Sequence, residues 1–334
     1  MSLPNKTKYV LVYGDSYSDD SADIQPGTKR TNGPIWSQQL AAEWNIKLIS
    51  QAKPGATFCK NSNKNGSWLQ KQVEDGQQQI GSVMGEEGSN SVIHIIFLGV
   101  TDLMETKVEA ATESINYWLQ CIKDQVTYIQ TKNPKAQIIV MGVPALEFSP
   151  YALLHKQSTV NLKQNIIDFN AALEDELSEW QQQQSTSNVN FFDTYSVFSN
   201  VLGDPTSIAG IKNVNDAYWD VCQGRCADPV NDYLWWDSIH LTGSGHYAIS
   251  KAIQSEGFFT TEAITSTATE MSRVSSPYIR FVSWFILLSI VAMILFMLRH
   301  NRIVVSLKKK LQMSAAKIYP SCAPNRGTHE YTLV

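Results

Sequence analysis

Five short apolar runs punctuate the first two hundred residues, at 10–14, 46–51, 92–99, 137–143 and 189–193. Three of them, VLVYG, VIHIIFLG and QIIVMGV, are apolar almost without interruption, the pattern of strands covered on both faces in a parallel sheet. Between them the period changes. Residues 34–44 predict a helix with Pro34 in its first turn, where a missing N–H costs nothing. Residues 108–129 predict a long helix, and Leu162, Ile166, Phe169, Leu173, Leu177 and Trp180 recur every three or four positions as one buried stripe. Strand and helix in alternation predict a three-layer α/β/α sandwich around a five-stranded parallel sheet. The glutamine run at 181–184, followed by Ser-Thr-Ser-Asn, predicts a polar loop before the last strand.

After about residue 258 the pattern breaks. Residues 259–280 are rich in Ser and Thr and predict a stalk. Residues 281–298 (FVSWFILLSIVAMILFML) carry no charge over 18 positions, enough as a helix at about 1.5 Å per residue to span a bilayer core. Arg299, Arg302 and Lys308 to Lys310 follow it, so 299–334 predicts a basic cytosolic tail, with residues 1–258 as one domain outside the cytoplasm. That topology calls for a signal peptide. Residues 1–8 are polar and the run from Tyr9 ends at Asp15, so the expectation is that the true start lies upstream; a tail-anchored protein with a cytosolic body is the alternative.

Charge and cysteine narrow the partners. Of 27 Lys+Arg and 31 Asp+Glu, seven and one respectively lie beyond residue 280, leaving an acidic body that argues against nucleic acid. Cys222 and Cys226 are near enough for a small disulfide loop, Cys59 and Cys121 form a second candidate pair, and one Cys-x3-Cys without further ligands argues against zinc. Asn5 and Asn65 open glycosylation sequons that would be used if the body is lumenal.

In a parallel sheet the chemistry collects where strands end, and here three such ends read Gly14-Asp15-Ser16, Lys53-Pro54-Gly55-Ala56 and Gly99-Val100-Thr101-Asp102. Ser16 alone fits a helix cap as well as a nucleophile. A serine nucleophile needs a base, and of six histidines only His240, in Trp235-Trp236-Asp237-Ser238-Ile239-His240, has a carboxylate at short spacing in a loop-like context. The chain has no Gly-x-Ser-x-Gly elbow. Gly243-Ser-Gly245-His-Tyr-Ala248 fits a spaced-glycine dinucleotide pattern but follows a turn, and reads as the start of the final helix. Tyr233, Trp235 and Trp236 suit the core better than a pocket wall.

The ordered set GDSYSD, the glycine of QAKPGAT, LGVTD and WWDSIHLT resembles the GDSL-type esterase/lipase (SGNH hydrolase) family, particularly its fungal-type members, over residues 8–257. The resemblance implies a flavodoxin-like hydrolase with no metal or organic cofactor, acting on a small ester, a lipid or an acetylated glycan. It implies Ser16 as nucleophile, His240 as general base and then acid, Asp237 as the group that orients His240, and the N–H groups of Ser16 and Gly55 as oxyanion donors. Asp19 matches a further family acid, taken as structural. One position departs: where the family places an asparagine amide in the oxyanion hole, this chain has Thr101, a shorter donor. The rival reading is therefore a weak or catalytically silent binding protein on the same fold.

Overall fold

A computed structural model of the chain describes residues 7–20, 30–60, 66–84, 92–106, 110, 112–134, 136–156, 159–183, 188–206, 210–223 and 225–258. The chain divides into two units, Met1–Thr261 and Glu262–Val334. The whole second unit lies outside the described residues, as do Asn5, Asn65, the expected stalk, the apolar segment 281–298 and the basic tail. Among the described residues no helix is long and apolar enough to cross a membrane.

The first unit alternates strands and helices: β1 (Tyr9–Gly14), α1 (Trp36–Trp44), β2 (Lys47–Ser50), α2 (Leu69–Met84), β3 (Val92–Phe97), α3 (Val100–Glu105), α4 (Thr112–Lys132), β4 (Gln137–Met141), α5 (Pro150–Leu154), α6 (Leu162–Gln183), β5 (Val189–Phe192), α7 (Thr194–Gly203), β6 (Asn213–Ala217), α8 (Tyr218–Cys222), β7 (Tyr233–Trp235) and α9 (Gly243–Glu256). Strands β1 to β5 form one sheet in the order β2-β1-β3-β4-β5, every pair parallel. Helices α1, α7 and α9 pack together, and α2, α4 and α6 form a second group. The sheet between them completes the three layers.

Burial explains why the central strands are unbroken apolar runs. All six residues of β3 are buried, and its one polar member, His94, meets the Tyr13 hydroxyl at 3.0 Å. Burial holds the His94 ring down at about 3, so it packs as a neutral side chain. The six residues of the α6 stripe are likewise buried.

Two local expectations fail. Pro34 precedes the N-cap, Ile35, instead of opening α1; the N3 side chain, Gln38 Oε1, accepts the Ile35 N–H at 3.0 Å and closes the end that proline was expected to tolerate. The glutamines at 181–183 continue α6 instead of forming a loop, because glutamine is a good helix former and Gln181 donates to the Val189 carbonyl, tying the helix end to β5. The second sheet, β6 paired in parallel with β7, was not foreseen.

The strand order places a switch at β1. Chain leaving β1 runs to β2 on one side, while β3 lies on the other, so the loops after β1, β2 and β3 open onto one crevice. Ser16, Gly55 and Thr101 lie on these three segments.

Candidate active site

Gly14 ends β1 and the chain turns at once, the Ser18 N–H donating to the Asp15 carbonyl at 3.1 Å. Ser16 is therefore held at the tip of a tight turn. The turn folds back so closely that a Cβ at position 14 would lie 2.5 Å from Ser18 Cβ and 2.9 Å from the Phe97 carbonyl oxygen, which leaves room for glycine alone. The buried Gln72 amide, from α2, secures the same residue: its Oε1 accepts the Gly14 N–H at 2.8 Å and its Nε2 donates to the Gly14 carbonyl at 2.9 Å.

The other half of the site comes from the segment between β7 and α9. Asp237 Oδ1 accepts the N–H groups of Ile239 (2.9 Å) and His240 (2.7 Å), curling the chain so that Oδ2 meets His240 Nδ1 at 2.7 Å. The far nitrogen of the ring, Nε2, lies 3.0 Å from Ser16 Oγ. Backbone bonds clamp this segment from three sides: Tyr151 N–H to the Ser238 carbonyl (2.8 Å), Trp219 N–H to the Trp236 carbonyl (2.7 Å) and Trp236 N–H to the His240 carbonyl (2.7 Å). Burial tends to raise the Asp237 carboxyl, but bonds from the His240 ring and the His240 and Ile239 N–H groups outweigh it and hold it below its usual range. It is thus a carboxylate aimed at an imidazole that is aimed at a hydroxyl.

Gly55 occupies a turn between Lys53 and Ala56, closed by the Ala56 N–H to the Lys53 carbonyl at 3.1 Å. With Pro54 before it and φ of 71°, Gly55 fills the position of a type II turn that requires a left-handed residue. The Lys53 N–H donates to the Gly14 carbonyl at 3.1 Å, holding this turn beside the serine turn. Thr101 is the second residue of α3.

Two acids missed as functional candidates in the sequence join these pieces. Asp15 is fully buried; its Oδ1 accepts the Tyr17 N–H and its Oδ2 the Val100 N–H, both at 3.1 Å, and the Thr101 N–H also bonds to it. Asp102 accepts the Phe58 N–H at 3.2 Å, linking α3 to the loop that carries Gly55. Burial drives both carboxyls up, Asp15 to about 6 against the N–H bonds of Tyr17 and Val100, and Asp102 to about 7 with the Asp15 and Glu105 charges adding to burial. A third missed residue is Tyr17, whose hydroxyl donates to the Ile239 carbonyl at 2.6 Å. The only advance signal for Asp15 was a charge at the end of an apolar strand.

The remaining expected residues sit elsewhere. Asp19 pairs with Arg30 at 3.3 Å. Disulfides join Cys59 to Cys121 and Cys222 to Cys226. Tyr233, Trp235 and Trp236 are buried. Thr242 caps α9 by accepting the Gly245 N–H at 3.2 Å, so the spaced glycines open a helix. Among the described residues no group of three or more His, Cys, Asp or Glu is placed to hold a metal.

The family described as GDSL-like Lipase/Acylhydrolase matches residues 10–253 of the chain. Similar solved structures include a lipase from a goat rumen metagenome (16% identity, 75% of this chain and 98% of that one, TM-score 0.44). A catalytic mutant of an acetylxylan esterase from Geobacillus stearothermophilus is similar at 15% identity over 76% of this chain and 95% of that one, TM-score 0.42. A lipase/acylhydrolase from Enterococcus faecalis is similar at 14% identity over 75% and 96%, TM-score 0.39. No curated protein matches the chain.

Proposed function

The chain belongs to the GDSL-like lipase/acylhydrolase family and so to the carboxylic ester hydrolases, and from that premise we propose that it cleaves its ester through Ser16, His240 and Asp237 by way of an acyl-enzyme. The observation that carries this reading is the continuous relay from Asp237 Oδ2 to His240 Nδ1 (2.7 Å) and from His240 Nε2 to Ser16 Oγ (3.0 Å).

In the first half-reaction Ser16 Oγ attacks the ester carbonyl while its proton passes to His240 Nε2. Asp237 keeps the Nδ1 proton in place, so Nε2 is the free base and the ring becomes an imidazolium beside a carboxylate. The N–H groups of Ser16 and Gly55 bind the oxyanion. Collapse expels the alcohol, which takes the proton from Nε2. Water then attacks the acyl-serine by the same route and releases the acid and free Ser16.

The ester is proposed to come from a lipid or an acetylated glycan. Residues 281–298 are proposed as a membrane anchor that holds the domain outside the cytoplasm, a reading supported by their uncharged length and by the two disulfides.

The test is hydrolysis of p-nitrophenyl acetate, butyrate and octanoate by the full chain and by Ser16→Ala. Turnover that falls at least about 10³-fold in the variant supports the assignment. Equal turnover by the two proteins overturns it.

A further inference from the structure

The rim that carries His240 also carries an apolar surface that the described fold leaves uncovered. Helix α5 follows β4 and stands at the same edge of the sheet as the loops after β1, β2 and β3. The Tyr151 N–H, in α5, donates to the Ser238 carbonyl at 2.8 Å, which fixes the helix against the segment from Asp237 to His240. Pro150 and Ala152 bury one face of α5, whereas Leu154 is 79% exposed, and Leu153 and, just before the helix, Phe148 are exposed as well. The chain then doubles back. The Thr159 N–H donates to the His155 carbonyl and its hydroxyl to the Ala152 carbonyl, both at 3.1 Å, which brings Val160, 70% exposed, back toward α5.

Single exposed apolar residues are ordinary, but four large ones gathered on one short stretch mark an interaction surface. Their charged neighbours narrow the partner. Lys156 and Lys163 are exposed among them, and no Asp or Glu occurs from 148 to 167 in a body that is otherwise acidic. A second copy docked across a two-fold axis would set these lysines against their own counterparts, with no carboxylate of the segment to pair them. A phospholipid surface suits both kinds of side chain: leucine, valine and phenylalanine enter the acyl boundary while lysine ammonium groups stay level with the phosphates. The chain also supplies proximity. Residues 259–280 put 22 positions between this domain and the apolar segment 281–298 proposed as a membrane anchor, and a coil of that length spans only roughly 25 Å.

We propose that Phe148, Leu153, Leu154 and Val160, with Lys156 and Lys163, form a surface that docks on phospholipid and turns the rim of the active site toward the bilayer. The proposal is independent of which ester is cleaved, and it rests on the anchor reading of 281–298 for proximity alone. Because α5 is bonded directly to the segment that carries His240, docking sets the orientation of the site to the bilayer as well as its distance.

The test uses the full chain with Cys322→Ser, reconstituted in phosphatidylcholine vesicles in which about one lipid in five is phosphatidylglycerol. An environment-sensitive fluorophore is attached through Leu154→Cys on the proposed surface, or through Val83→Cys, an apolar position 54% exposed at the end of α2, at the opposite edge of the sheet. Brominated acyl chains should quench the label at 154 at least about twofold and the label at 83 hardly at all. Adding Val160→Glu should remove about half or more of the quenching at 154. Its turnover of soluble p-nitrophenyl butyrate should match the wild type, which shows the variant folded and keeps the ester-hydrolase reading a separate question. Equal quenching at the two positions, or none at either in chains that float with the vesicles, overturns the docking surface and leaves the anchor reading intact. A label at 154 that becomes buried without lipid as protein concentration rises assigns the surface to self-association and overturns the proposal. Flotation lost in Val160→Glu supports docking and overturns the anchor, whereas a wild-type chain that never floats overturns both.

Discussion

The Tyr17 hydroxyl donates to the Ile239 carbonyl at 2.6 Å, a bond between the residue after Ser16 and the residue before His240. Each partner's neighbour is half of the 3.0 Å contact between Ser16 Oγ and His240 Nε2. The two halves of the site are 224 residues apart in sequence, and this one bond ties them together beside the reacting pair.

Tyr17→Phe should therefore harm catalysis more than binding. Removing the hydroxyl leaves a carbonyl without its donor, a loss of about 1–3 kcal/mol of stability. The ring stays packed against Phe97, so the fold persists. The expected result is a fall in kcat of about ten- to a hundredfold with KM nearly constant, since small misplacements of reacting groups have effects of that order. Wild-type kcat in a folded variant would show that the sheet alone sets the distance.

What was legible in the sequence follows from which contacts are local. Strands β1, β3 and β4 were readable because burial on both faces removes polar residues from their runs, and α6 because one stripe of six apolar side chains repeats along it. Asp237 and His240 were readable because three residues of chain are enough to join them. Strands β6 and β7 left no such mark: NVNDA is polar and buries only its last residue, while YLW is too short to show a period. Asp15 and Tyr17 were visible as letters of a motif but not as struts, since their partners lie 85 and 222 residues away.

Asp15 gives stability a pH dependence of defined sign. Burial raises its carboxyl from 3.8 to about 6, so the folded protein holds the proton more tightly than the unfolded chain. The contribution is fully present below about pH 4 and is lost as pH rises through 6. A tenfold difference in proton affinity is worth about 1.4 kcal/mol, which makes the contribution about 3 kcal/mol in all. Asp237 acts oppositely: its lowered carboxyl favours the fold above 3.8, a contribution lost as pH falls through its folded value. Urea midpoints between pH 4 and 8 should decline less steeply in Asp15→Asn than in the wild type. Parallel curves would show that Asp15 titrates alike in both states.

The two disulfides should differ in worth. The Cys59 to Cys121 bridge spans 62 positions and the Cys222 to Cys226 bridge four. Loop-closure entropy assigns them about 4 and about 2 kcal/mol respectively. Replacing both cysteines of the long bridge by alanine should lower the urea-unfolding free energy about twice as much as replacing both of the short one. It should also weaken ester turnover, since the long bridge secures the loop that carries Gly55. The reverse ranking of stabilities would mean that the short bridge braces α8 against the Trp236 segment more than chain entropy accounts for.

Thr101 is where this chain departs from the family pattern, and its surroundings make the departure testable. The residue stands in the first turn of α3, and its backbone N–H is engaged by Asp15. A third oxyanion donor would then have to come from its side chain. The threonine hydroxyl stops one bond short of where an asparagine amide would reach, and a missing oxyanion donor typically lowers kcat about 10²- to 10³-fold. Thr101→Asn should therefore raise kcat at least about tenfold, with KM little altered because the ground-state carbonyl gains less than the oxyanion. Stability should hardly move, since the backbone bond to Asp15 is kept. A variant that folds, retains its KM and shows no gain would mean that the Ser16 and Gly55 N–H groups suffice for the oxyanion, and that threonine at this position has no catalytic penalty.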